Sequence, residues 1–212
     1  MPSIPKKKKA ERTVTALLQQ DYVSGLFVDD QLGRFPGTLP MSQLGLKGKA
    51  VTPNPSIIVN FRSFATGCDE PVNCTVEIAD TALRQGQGMH GSFSRADTMN
   101  FMAAIGPDFK AGYVDPLPVS NADVGMTIAQ LMDLHPANEG GLIGRVMSEA
   151  LPNGIIPKAA SGTIVSKPAS NGLRTVVNYQ RVVAQRYFDA AGFPGRTVGL
   201  VAQGGKQKTA GK

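Results

Sequence analysis

Apolar positions along this chain come in short blocks divided by glycine- and proline-rich turns. Residues 10–20, "AERTVTALLQQ", read as a short helix. "YVSGLFVDDQLG" (22–33) reads as a strand that runs into a turn, with Gly33 as the breaker. A helical turn is expected near Met41–Leu44. "PNPSIIVNFRSF" (53–64) is the clearest strand: Ile57, Ile58 and Val59 stand in a row, which suits a strand buried on both faces, as in an α/β sheet. "CTVEIAD" (74–80) is a further strand candidate. "FMAAIGPDF" (101–109) predicts a short buried strand stopped at Gly106-Pro107. "DPLPVSNADVGMTIAQLMDL" (115–134) predicts a helix capped by Asn121, with Val124, Ile128, Leu131 and Met132 as its buried stripe. "GTIVSK", "GLRTVVNYQRV" and "QRYFDAAGF" predict three more short strands towards the C-terminal end. There is no internal repeat.

Composition agrees with a loop-rich domain. The chain has 212 residues with 24 Gly and 15 Pro, few aromatic residues and no Trp. No apolar run approaches the roughly 20 residues of a membrane span. The net charge of +6 belongs to the ends: without Lys6–Lys9, Lys206, Lys208 and Lys212 the remainder would be about −1. Such runs read as solvated tails. Basic residues are not interleaved with aromatic ones, which argues against a single-strand nucleic-acid binder. The start, "MPSIPKKKKAERTV", has no apolar core and does not read as a secretory signal. Cys68 and Cys74, in "GCDEPVNC", are spaced for a small loop disulfide or for a reduced pair; the spacing leaves both open. Asn73 opens a sequon by pattern alone.

The chain has two histidines, and one of them, His90, lies in "GQGMHGSFSRAD" with Gly88 and Gly91 beside it. Two readings stand: a loop histidine without a task, or a ring nitrogen placed to reach a metal, a phosphate or a proton. The wider pattern bears on the choice. Gly88-Met89-His90-Gly91, the polar turn after it, the apolar stretch ending in Gly106-Pro107-Asp108-Phe109, the Asp115-Pro116 turn and the helix near Asn121 follow one another over about 50 residues. In that order and spacing they resemble the C-terminal part of the alkaline phosphatase superfamily, in its phosphodiesterase and nucleotide pyrophosphatase branch. "GTLP" and "PNPSIIVNF" upstream are also similar to that family.

The resemblance implies a partial α/β sandwich, a mixed sheet with flanking helices, over residues 21–200. A basic N-terminal tail and short helix (1–20) would precede it, and a flexible basic tail (201–212) would follow. It implies hydrolysis of phosphoesters with zinc, and His90 as a ligand of one of two zinc ions; members of the family are often exported. The pattern then departs from the family. Three histidines, several aspartates, an Asp-His pair and a Thr or Ser nucleophile are expected. Here the only other histidine is His135, which matches no ligand motif; no Asp-His pair exists, and Asp29-Asp30 stands in a turn without a histidine. No catalytic residue is recognisable. Two zinc ions roughly 3.5–4 Å apart do the work of phosphoryl transfer, and one histidine cannot hold them. The expectation is the C-terminal portion of a zinc-dependent phosphoester hydrolase, inactive without an N-terminal complementary chain. The alternatives are a non-catalytic remnant or partner-binding module, or a basic-tailed adaptor for an acidic partner.

Overall fold

The computed structural model describes residues 6–45, 54–78, 82, 84, 87, 90–135 and 144–202. It is a mixed α/β chain in which three small sheets are joined by long irregular connections.

Helix α1 spans Lys6–Leu17 and strand β1 spans Val23–Val28. The four lysines that read as a tail therefore form the first turn of a helix, all exposed, while Ala10 and Val14 on its inner side are buried. Those two residues, one helical turn apart, hold the helix down and so order the lysines. β2 (Leu39–Pro40) pairs parallel with β1, and β3 (Ile57–Phe61) pairs antiparallel on its other side. The strand buried throughout is β1, the middle one. Ile57, Ile58 and Val59, expected to be covered on both faces, are half-buried because β3 stands at the sheet edge.

A short hairpin follows: β4 (Ser63–Ala65) against β5 (Thr75–Glu77). Its loop is closed by a Cys68–Cys74 disulfide, which settles the pairing the spacing had left open. Ala79 and Asp80, the end of that predicted strand, lie outside the described residues. Then come α2, a single turn at Arg95–Thr98, and α3, Asn121–Leu131. The last sheet is an antiparallel meander of β6 (Ala159–Val165), β7 (Val176–Val182) and β8 (Gln185–Gly192).

The core has two parts, one on each face of β1. Leu26, Val28, Phe35 and Phe193 pack with Ala10 and Val14 of α1. Phe27 points the other way and packs with Leu39, Met41 and Leu44 and with Val177 and Ala191 of the C-terminal sheet. The pleat would place Val23 on the same face as Phe27, but a bulge between Val23 and Leu26 shifts the register and brings Val23 into the α1 core. Gly25 sits in that bulge, where a Cβ would stand 2.9 Å from the Cα of Gly192. The two glycines let β1 and β8 touch backbone to backbone.

Two further sequence expectations are overturned. Phe101–Ile105 forms no strand and is not buried: Phe101 is 91% and Ile105 99% exposed. On α3 the helix start moves one residue back. Ser120 is the cap, its side chain accepting from the Asp123 amide while the Asp123 carboxylate accepts from the Ser120 amide. The buried face is Asp123, Thr127 and Ala129, whereas Ile128, Leu131 and Met132 are exposed. Polar contacts decide the orientation. The Asp123 carboxylate accepts from the Arg145 amide at 2.8 Å, and the Thr127 hydroxyl accepts from the Met147 amide at 3.0 Å. Turning the apolar stripe inward would strand these buried amides without acceptors.

Candidate functional site

His90 is exposed, at the start of a turn whose backbone is pinned on the side that follows it. The Asp97 carboxylate accepts from the amides of Gly91 (2.6 Å) and Ser92 (2.5 Å). Gly91 has a φ of 101°, a value that favours glycine, and so lets the chain fold back towards Asp97. The next residue locks into the core: the Phe93 amide donates to Asn60 Oδ1, its carbonyl accepts from the Ala191 amide, and its ring lies 5.2 Å from that of Phe27.

α2 ties the same turn to β8. The Arg95 guanidinium pairs with the Asp189 carboxylate at 3.4 Å, and the Thr98 hydroxyl donates to the Asp189 carbonyl. Gln180 donates to the same carboxylate at 2.8 Å. The Asn60 side chain joins the strands beneath, donating to the Ser24 and Ala191 carbonyls and to the Thr197 hydroxyl. The polar residues of "GSFSRADT" thus serve to dock the turn. His90 stands just outside the docked part. Gly88 and Met89, on its other side, lie outside the described residues.

A second charged cluster holds the middle of the chain together. Arg145 reaches both oxygens of Glu149, at 2.8 and 2.5 Å, and donates to the Tyr187 hydroxyl (2.9 Å) and the Pro118 carbonyl (3.2 Å). Glu149 is fully buried. Its burial alone would raise the carboxyl pKa, but the Arg145 hydrogen bonds and charge outweigh that and hold it below the ordinary range. Asp115 goes the other way: burial, with the Glu149 charge beside it, pushes its carboxyl up, and in its protonated form it donates to Glu149. Burial and the hydrogen bond to Asp123 push the Tyr187 phenol up as well. Two carboxyls at displaced pKa values have the look of acid–base machinery. The geometry argues otherwise, since Glu149 is closed off from solvent by its ion pair with Arg145, whose side chain is itself only 11% exposed. The cluster is a structural clamp.

Of the predicted site residues, His90 is brought to the surface of an ordered turn, while His135 lies after α3, exposed, 3.9 Å from Asp133. Asp29 caps the turn at Gln31, and Asp30 holds the Ser42 amide and hydroxyl; both do local work in the fold. Two open grooves run along α1, lined by Lys9, Arg12 and Tyr22 on one side and by Lys8, Glu11 and Gln19 on the other; neither contains His90. Among the described residues no group of three His, Cys, Asp or Glu side chains could hold a metal ion, and no helix is long and apolar enough to cross a membrane. Asn60, which fixes the turn from β3, escapes a reading by motif because its partners, the Phe93 amide and the Ala191 carbonyl, are far from it in the chain. Asp97 reaches its amides within a few residues, but in no regular element that a periodicity would reveal. Against known proteins, no family model matches the chain, and neither a curated protein nor a solved structure matches it.

Proposed function

We propose that this chain is the C-terminal portion of a zinc-dependent phosphoester hydrolase of the alkaline phosphatase type, completed by an N-terminal part that carries the nucleophile and the remaining metal ligands. The partial sandwich belongs to the same proposal. The observation that carries it is the position of His90: an exposed imidazole at the edge of a turn fixed by Asp97 and bolted to the core by Phe93 and Arg95. A rigid support under a free ring is what a metal ligand needs. When bound, zinc would polarise the phosphoester and neutralise the charge that develops on it. One imidazole fits one ligand position and does not make a zinc site, so the remaining ligands would have to come from the N-terminal part. What this chain contributes is the position of that imidazole.

The test is zinc content and turnover of a nitrophenyl phosphate ester. Each is measured for the chain alone and after mixing with the separately produced N-terminal half of a phosphodiesterase of that superfamily. The chain alone is expected to be inactive with added zinc. The mixture is expected to bind zinc and turn over, and to lose both with His90→Ala. Turnover by the chain alone, or a mixture indifferent to His90→Ala, would overturn the reading.

A further inference from the structure

At Phe101–Ile105 sequence and structure conflict: the run reads as a buried strand and forms none. Five consecutive apolar residues, all exposed, lie in water. Among the described residues no backbone hydrogen bond reaches any of Asn100–Ile105. Yet the segment is no loose tail, because both of its ends are anchored. On one side α2 is tied to Asp189 and Val198. On the other, the Lys110 amide donates to the Ala150 carbonyl, and its ammonium donates to the carbonyls of Glu149 and Gly154 at 2.8 Å each. An apolar bridge of bare backbone is held out between two fixed points.

We propose that Phe101–Ile105 is a strand awaiting its sheet, and that it is completed by insertion into the sheet of a complementary α/β body. This rests on the reading above and takes the N-terminal portion inferred there as that body. The composition of the run selects the occupant. In a strand, Phe101, Ala103 and Ile105 fall on one face and Met102 and Ala104 on the other. No polar position marks a solvent side, so both faces require cover. A second copy of this chain, pairing edge to edge through the same segment, would satisfy one row of backbone groups and leave both faces wet. A sheet layered by helices covers both faces and pairs both edges. The same stretch of the chain is rich in exposed apolar side chains: most of the exposed large hydrophobic residues described lie between Met99 and Ile156, among them Val114, Met132 and Ile155.

The experiment is hydrogen exchange by mass spectrometry on the full chain, alone at two concentrations and with the same N-terminal half. The peptide covering 100–105 is expected to exchange at once in the isolated chain and to be protected by at least about a hundredfold in the mixture. Phe101→Asp and Ile105→Asp are expected to weaken association at least tenfold. Both sites are exposed, so the variants should melt as the parent chain does. Association and zinc uptake without protection of 100–105 would overturn the insertion and leave the proposed function standing. Protection that grows with concentration of the chain alone would overturn it in favour of a second copy. A complement that does not associate counts against both.

Discussion

Arg145 is the residue on which the most other positions depend. Removing a partner from a buried ion pair leaves an uncompensated charge, at a cost of about 3–5 kcal/mol. Arg145→Met is expected to destabilise by that amount in urea denaturation, because Glu149 is fully enclosed and Tyr187 loses its donor. The double variant Arg145→Met, Glu149→Leu is expected to recover most of the loss, since an apolar pair of similar volume has no charge left to strand. The two carboxyls also predict a pH dependence. Glu149 has a lowered folded pKa, so its contribution is present above its unfolded value and lost as pH falls through the folded one. Asp115 has a raised folded pKa, so its contribution is full below its unfolded value and lost as pH rises through the folded one. Asp115→Asn keeps a donor towards Glu149 at every pH. In melting experiments the parent chain is therefore expected to lose stability relative to this variant as pH rises above about 4, and a constant difference between them would refute the assignment.

Among the elements, α1 is built against its own dipole. Its first turn carries four lysines and no acidic residue, where the partial positive charge of the helix start favours carboxylates. Lys6→Glu and Lys7→Glu are expected to stabilise by roughly 0.3–1 kcal/mol each at low ionic strength, an advantage that thermal melts in 1 M salt should largely erase. The lysine run read as a tail because charge alone says nothing of anchoring; Ala10 and Val14, a turn apart, supplied the anchor. Strands were the more legible class. β1, β3, β7 and β8 fall where blocks of Val, Ile and aromatic residues end at Gly or Pro. α3 was legible as a helix and illegible in its orientation. Apolar periodicity pointed to Ile128 and Leu131, whereas the buried face was chosen by Asp123 and Thr127 meeting amides more than 15 residues away. The Ser120-x-x-Asp123 capping box was in the sequence and would have placed the helix start.

For the whole molecule, the exposed apolar stretch sets the behaviour in solution. Each large side chain left in water forgoes about 1.5–3 kcal/mol, set against a net stability of about 5–15 kcal/mol for a domain. The isolated chain is expected to bind an apolar dye and to self-associate in sedimentation; a clean monomer without dye binding would contradict this. His90 was found in the sequence because histidine is scarce and its glycine setting is unusual. The turn beneath it was not found, because its fixings, Asn60 and Asp189, come from strands far away in the chain.

The contact of Gly25 with Gly192 has a consequence for how the protein is made. β1 is buried by partners at Thr175, Gly192, Phe193 and Thr197, all near the other end of the sequence. During synthesis at about 5–20 residues per second, the central strand would wait on the order of ten seconds or more for its cover. Until then β1 has its neighbours α1, β2 and β3 but lacks the C-terminal sheet, so "VSGLFV" remains an incompletely covered, uncharged β-former, the kind of segment that chaperones bind and that aggregates when they do not. Arrested nascent chains ending at Val183 should therefore be cut readily by protease within β1. Chains long enough to expose Thr197 outside the exit tunnel should resist, with the change coming in a single step as β8 arrives.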